Sequence, residues 1–91
     1  MKVHELKTDP VPFRDVVNGL KTFEIRFDDR GFETGDILKL METKYSCAEM
    51  IREGYQLEYT GEFVTAVVTH ILRNSSYGLV DGYAILSIKL L

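Results

Sequence analysis

The sequence has little of several features that would assign it quickly to a class of protein. It contains one cysteine, Cys47, which excludes an internal disulfide and a two-cysteine metal pair. Its two histidines, His4 and His70, show no metal-ligand spacing with other residues. We therefore expect no metal and no cofactor, and we interpret Cys47 as a reduced thiol without an assigned role.

Long apolar stretches and an excess of positive charge are also missing. No run approaches the roughly 20 apolar residues of a membrane-spanning helix, and the opening MKVHELKTDP lacks the apolar core of a signal peptide. We therefore expect a cytoplasmic protein that spans no membrane. The 11 Lys and Arg residues are outnumbered by 14 Asp and Glu residues, which gives a net charge of -3. This excludes a protein that coats extended duplex DNA.

What is present fits one small domain over residues 1–91. Hydrophobic residues make up 45% and charged residues 27%, which are ordinary globular values, and no repeat or low-complexity tract interrupts them. Residues 1–30 carry six basic and six acidic groups, whereas residues 31–62 carry three basic and seven acidic groups. We therefore look for anion-binding chemistry in the first third. We expect the acidic residues to confine a nucleic acid to the opposite side of the molecule: Glu49, Glu53, Glu58 and Glu62.

The hydrophobic patterning predicts a mainly β domain of the α+β class. Strands are predicted over residues 2–7, 22–28, 37–43, 63–72 and 83–91, and short helices over residues 12–18 and 47–52. Five or so strands at this spacing are typical of a closed or partly closed β-barrel. Turns are expected at residues 29–31, 34–36 and 59–61.

Several patterns also predict which faces are buried. In the first strand, His4 and Leu6 share a face. In the second strand, the alternation predicts an apolar core face and a polar face. The core face comprises Phe23, Ile25 and Phe27. The first helix has an apolar face made of Phe13, Val16, Val17 and Leu20, and Gly19 fits its C-terminal cap. The last strand is expected to point Ala84, Leu86, Ile88 and Leu90 inward.

The segment GLKTFEIR, residues 19–26, carries the sharpest chemical signal. Lys21 stands at the start of a predicted strand, and Glu24 and Arg26 share one of its faces. Lys and Arg supply donors for phosphate or carbonyl oxygens, while a Glu orients them or accepts from a base. The alternative is a solvent-facing strand with a Glu–Arg ion pair of little energetic value.

This segment matches the G-x-K-x-x-E-x-R signature of ASCH domains in the PUA-like superfamily. With HELKT at residues 4–8, the Pro12-Phe13 helix start, Asp29-Arg30, Gly35-Asp36 and Tyr59-Thr60-Gly61, the chain resembles the small bacterial and phage branch known as DUF3850 from Val3 to about Ser87. The resemblance implies a small PUA-like β-barrel of about five to six strands with one or two short helices. It also implies an RNA- or nucleotide-binding cleft beside the signature, against residues 13–18.

The resemblance supplies a set of candidate ligand-binding residues. The signature contributes Lys21, Glu24 and Arg26, the branch pattern adds His4, Lys7, Asp29 and Arg30, and Tyr59 is a candidate stacking surface. Tyr77 and Tyr83 are further stacking candidates. A structural hydrogen bond for His4, turn chemistry for Asp29-Arg30 and core-rim packing for the tyrosines are the alternatives.

Two other functions remain open. Some ASCH proteins resemble amidohydrolases that act on an N4-acylated cytidine and use a threonine three residues after the signature lysine. Glu24 occupies that position here, which removes the nucleophile, although Lys21 and Glu24 could still perform acid–base work. The third candidate function is an accessory protein that binds another protein through its acidic face.

Overall fold

The computed structural model describes all 91 residues as five strands and two short α-helices in a mainly β, α+β arrangement. The elements in chain order are β1 (Val3–Thr8), α1 (Pro10–Val17), β2 (Phe23–Phe27), β3 (Ile37–Thr43), α2 (Cys47–Glu53), β4 (Tyr59–Leu72), a 3₁₀ turn (Ser75–Tyr77) and β5 (Tyr83–Leu90). This confirms the predicted class and the positions of all five strands. Neither helix is long and apolar enough to cross a membrane.

The strands form one curled sheet, a half-barrel, in the order β1-β3-β4-β5-β2. β1 runs parallel to β3, and every other neighbouring pair is antiparallel. β1 and β2, the two edge strands, are close in sequence but lie at opposite ends of the strand order. The curl brings these two edges towards each other and leaves an open seam between them.

Side chains bridge this seam where backbone pairing is absent. Arg26 of β2 donates from Nη2 to the carbonyl oxygen of Lys7 on β1 at 2.9 Å. Arg30, which follows β2, donates from Nη1 to the carbonyl oxygen of Glu5 at 2.7 Å. Two carbonyls on the free edge of β1 thus accept guanidinium groups instead of strand N–H groups, which satisfies the edge without closing the barrel.

The hydrophobic core fills the concave side of the sheet. Leu6 of β1 lies there among the inward residues of the other strands, covered by Val16 of α1 and by Phe32. Those inward residues are Leu38, Leu40, Ala66, Val68, Ala84, Leu86 and Ile88. Burial of His4 beside Leu6 confirms that these two side chains share an inward face.

The faces of β2 are reversed relative to the prediction. Glu24 is only 3% exposed, whereas Phe23, Ile25 and Phe27 are 41%, 52% and 54% exposed. Strict alternation defines two faces but does not say which one points inward. No element covers the outer side of this edge strand, and the charge of Glu24 is neutralised inside by Arg26, so the polar face is the buried one.

Smaller departures concern element ends. The turn predicted at residues 59–61 is absent, because β4 already begins at Tyr59 and accommodates Gly61 at φ +93°. α1 begins at Pro10 instead of Pro12. Three side chains predicted to be inward are exposed: Val17 and Leu90 are the last residues of α1 and β5, and Leu20 lies beyond the end of α1.

Candidate functional site

A cleft of about 400 Å³ lies at the open seam of the half-barrel. The edge strands β1 and β2 form two of its sides, and the start of α2 borders another. Its lining residues are Lys7, Thr8, Asp9, Pro12, Lys21, Phe23, Glu24, Ile25, Arg26, Thr43, Cys47 and Met50. Four of the sequence-predicted residues, Lys7 and the three signature residues, therefore line one concave surface.

The end of α1 determines where Lys21 lies. Gly19 adopts a left-handed conformation, with φ +74°, and donates its N–H to the Val16 carbonyl. The N–H groups of both Leu20 and Lys21 then donate to the Asp15 carbonyl, at 2.8 and 3.0 Å. This Schellman-type reversal turns the chain directly from the helix into β2, which places the lysine beside the inward face of that strand.

Glu24 is the buried anion of the cleft. Its Oε1 accepts from Arg26 Nη2 at 2.8 Å and from Arg26 Nε at 3.2 Å, and its Oε2 accepts from Lys21 Nζ. The Glu24 side chain is nearly inaccessible, while the two cations are about a quarter exposed. A buried carboxylate is stable only when it is paired and hydrogen-bonded, and these three donors provide that compensation.

The two cations keep donors that the protein does not use. Arg26 commits Nε and Nη2 to Glu24 and the Lys7 carbonyl, but its Nη1 makes no hydrogen bond within the chain. Lys21 Nζ donates to Glu24 and to the Phe23 carbonyl, which leaves one of its three N–H groups. The cleft therefore presents fixed, unfilled donors suited to an oxygen-rich ligand.

A third cation stands at the mouth of the cleft. Lys7 has no carboxylate within 4.0 Å and no side-chain hydrogen bond, whereas the Asp9 carboxylate accepts the backbone N–H of Cys47 at 3.0 Å. The charged side chains lining the cleft are three cations and two carboxylates, a local net charge of +1 in a chain of net charge -3. The positive balance again favours an anionic ligand at this place.

His4 is not part of the cleft. It faces the interior, where its Nε2 lies 2.8 Å from Asp36 Oδ2 and its ring packs edge-on against Phe32. Asp36 also accepts the backbone N–H groups of Lys2 and Glu33. Burial raises the pKa of Asp36, but the His4 hydrogen bond and these N–H groups outweigh it and lower the pKa to about 2. This arrangement is the structural alternative considered for His4.

Three other predicted residues also lie away from the cleft. Arg30 donates to β1 across the seam, and the exposed Asp29 carboxylate lies 3.8 Å from Arg30 Nε. These two residues therefore hold the edges of the seam together and do not line the cleft. The loop carboxylate that bonds backbone is Asp28, which accepts the Phe32 N–H at 3.1 Å. Tyr59 lies in a separate shallow hollow with neighbours that include Phe63.

Sequence reasoning missed several cleft residues. The two threonines, Thr8 and Thr43, face the core side of their strands. Thr8 alternates with the buried His4 and Leu6, which was an available signal, whereas a register shift between Met41 and Thr43 places Thr43 inward against the alternation of its strand. Cys47 and Met50 on α2 were missed because this helix lies more than 20 residues after the signature segment, and the sequence does not show that the two segments are close in space. α2 also carries Glu49, so one residue of the acidic run belongs to an element that borders the cleft through Cys47 and Met50. α1 contributes only Pro12, which corrects the expected lining by residues 13–18.

A second hollow, of about 410 Å³, lies at the far end of the sheet around Arg73. Here Arg73 donates from Nε to Asp28 Oδ2 at 2.6 Å and from Nη2 to the Phe32 carbonyl at 2.5 Å. Its Nη1 is unbonded, as in Arg26, but this hollow is lined by one cation and two carboxylates, Asp28 and Asp81, so its charge balance does not favour an anion. Burial raises the pKa of Asp28, but the Phe32 N–H and Arg73 lower it further than burial raises it. These bonds hold a loop in place, and the seam cleft is the better candidate site.

Comparison with known proteins supports the DUF3850 part of the resemblance. The family model described as "Domain of unknown function (DUF3850)" matches residues 3–88. No curated protein matches the chain. The match covers β1 to β4, both helices and all but the last two residues of β5, and it includes all the residues that line the seam cleft.

Proposed function

The chain belongs to the DUF3850 family, and we propose that this member binds single-stranded RNA or a nucleotide in the seam cleft. The observation that carries the proposal is the convergence of Lys21 and Arg26 on the buried Glu24 carboxylate, with N–H donors of both cations left unbonded. The resemblance of GLKTFEIR to the ASCH signature, with the PUA-like relationship it implies, supports the same ligand class. A cytoplasmic location is part of the proposal.

The contacts suggest a role for each signature residue. Arg26 and Lys21 would donate to phosphate or base carbonyl oxygens through their unused N–H groups. Glu24 would hold both cations in position, because its oxygens already accept from them. Of the two roles considered for Glu24, the contacts favour orientation of Arg26 over acceptance from a base. Lys7 would contact a phosphate at the mouth of the cleft.

The amidohydrolase alternative receives less support from the contacts. Thr22, the threonine of the signature segment, is exposed and lies outside the cleft lining. Thr8 and Thr43 do line the cleft, but both hydroxyls donate to backbone carbonyls. Neither hydroxyl donates to a carboxylate or a histidine, the groups that would take its proton. Incubation with N4-acylated cytidines and mass detection of released cytidine would establish this alternative.

The proposal is tested by titrating labelled single-stranded RNA and free nucleotides at low salt. We expect Arg26→Ala to weaken binding about tenfold or more, because a hydrogen bond to a charged group contributes roughly 1.5–3 kcal/mol. Arg14→Ala is the matched control, since it removes the same charge from an exposed side chain outside the cleft. Absence of binding in the wild type, or equal losses in the two variants, would overturn the proposal.

A further inference from the structure

The outer face of β2 and β5 is an uncovered row of large apolar side chains. Phe23, Ile25 and Phe27 of β2 all point outward, and Tyr83 of β5, paired with Phe27, is 40% exposed. Ile85 lies between them opposite Ile25. Contiguous exposed apolar rows commonly mark binding surfaces, because these side chains gain hydrophobic stabilisation only when a partner covers them.

The charge on this face is one-sided. The outward residues of β2, β5 and the paired half of β4 include no Asp or Glu, although the chain contains 14 of them. Lys89 is exposed and has no carboxylate within 4.0 Å. His70 is also exposed on this outer face. The combination of one exposed lysine, aromatic rings and no carboxylates is complementary to an anionic chain of aromatic bases.

The rings are held in place before any ligand arrives. Phe27 and Tyr83 meet edge-to-face with centroids 5.5 Å apart. The Phe27 ring also lies on the backbone at Gly82, where an added Cβ would come within 2.5 Å of it. A glycine at φ +87° thus provides the space that the ring occupies. Fixed rings lose little entropy when a base stacks on them.

The outer face is continuous with the seam cleft. Phe23 lines the cleft and is also the first residue of the outward row. Lys21 connects the two surfaces, because its Nζ bonds Glu24 in the cleft and lies 4.9 Å from the centroid of the Phe23 ring. If one nucleotide of a single strand occupies the cleft, the next nucleotide can pass over Phe23 and reach the apolar row on the outer face.

We propose that the outer face of β2 and β5 binds the nucleotides that flank the one held in the cleft, by stacking their bases on Phe23, Phe27 and Tyr83. This inference rests on the proposed function and extends it from a single nucleotide to a short single strand. Lys89 lies beside the row to contact the backbone phosphates. A second copy of the chain is the competing occupant. Four half-exposed side chains cover on the order of 400 Å², however, which is half the roughly 800 Å² per partner of a stable dimer.

The test compares uridine monophosphate with oligouridylates of two, four and eight nucleotides, bound to the wild type and to matched variants. We expect wild-type affinity to rise with length by roughly five- to hundredfold for each stacked base. Phe27→Ala should lose this rise while binding the monophosphate unchanged, because Phe27 lies outside the cleft lining. Lys89→Glu, at an exposed position, should also reduce the rise without affecting the fold.

Phe63→Ala is the matched control. Phe63 is as exposed as Phe27, at 52% against 54%, but lies on the other half of the sheet, beneath Lys39, which pairs with Glu5. The inference is overturned, and the proposed function stands, if the monophosphate binds and length adds nothing, or if Phe63→Ala loses as much as Phe27→Ala. A wild-type dimer that Phe27→Ala converts to monomer also overturns the inference. Absence of binding to every probe overturns both.

Discussion

Two buried carboxylates of this small domain lie in contrasting surroundings. Asp36 is 1% exposed and accepts two backbone N–H groups besides its contact with His4, so its partners are short, rigid and fully used. Glu24 is buried to the same degree, but its partners are the long side chains of Lys21 and Arg26. Both partner side chains are partly exposed at the surface and keep N–H groups that no atom of the chain accepts.

The difference shows how a structural carboxylate and a binding-site carboxylate can be distinguished by their partners. A carboxylate held by backbone N–H groups connects parts of the fold, as Asp36 connects β1 to the loop before β3. A carboxylate held by partly exposed cations fixes those cations for something outside the chain. We therefore expect changes around Asp36 to alter stability, and changes around Glu24 to alter ligand binding.

The largest expected effect follows from removal of the Asp36 carboxylate. Asp36→Ala leaves His4 and the backbone N–H groups of Lys2 and Glu33 buried without their acceptor. We expect the free energy of unfolding to fall by about 3 kcal/mol. Chemical denaturation of the variant and the wild type measures it. A loss below 1 kcal/mol, on the scale of an exposed ion pair, would mean that Asp36 is not the structural carboxylate of this comparison.

The contribution of the Asp36 carboxylate to stability should depend on pH in the acid range. Its folded pKa, about 2, lies below the ordinary 3.8, so its contribution is complete above pH 3.8 and is lost as the pH falls through about 2. The difference corresponds to roughly 2 kcal/mol. We expect the stability of Asp36→Asn to fall less than that of the wild type between pH 5 and pH 2. Asp28 and Glu49, whose pKa values are also lowered, contribute equally to both proteins and cancel in this difference.

On the binding side, Arg26→Lys should separate charge from geometry. Lysine keeps the positive charge but cannot bond Glu24 twice and also donate to the Lys7 carbonyl and into the cleft. We expect affinity for single-stranded RNA to fall about tenfold, with a loss of stability near 1 kcal/mol. Fluorescence anisotropy and chemical denaturation measure the two quantities. Unchanged affinity would show that Arg26 acts only as a charge.

The smallest effect is expected at Lys7. Lys7→Ala removes a side chain without a partner, so stability should stay within about 0.5 kcal/mol of the wild type. The affinity for single-stranded RNA should fall a few-fold, and its dependence on log salt should become shallower by about 0.7, the value of one phosphate contact. Titrations at several salt concentrations measure this slope, and an unchanged slope would contradict a phosphate contact at Lys7.

Local patterns predicted most of the fold. The capping box of Ser46 and Glu49 and the left-handed Gly54 delimit α2 close to the predicted range 47–52, because these signals act within one turn of chain. The five strands follow from hydrophobic patterning: alternation in some, and β-branched apolar residues on both faces over residues 63–72. The reversal of β2 could not be found in this way, since period-two patterns are symmetric and the inward face depends on whether another layer covers the sheet.

The candidate site was predictable to the extent that it is local. Lys21, Glu24 and Arg26 lie within six residues, and their convergence follows from one helix end and one strand. The contribution of α2, and the placement of His4 opposite Asp36, depend on pairings across more than 30 residues of chain. A histidine and an aspartate that far apart give no sequence signal of contact. For the same reason, the position of Cys47 in the cleft lining could not be predicted from the sequence.

The most direct test of the account is an NMR titration of the ¹⁵N-labelled protein with a short single-stranded RNA. The account predicts that the backbone amides of Glu24, Arg26 and Cys47 and the Nε–H of Arg26 shift together in a saturable manner, while the amides of His4 and Asp36 stay in place. Shifts centred on His4 and Asp36, or no saturable shift at any amide of the cleft, would contradict the claim that the seam cleft is the binding site.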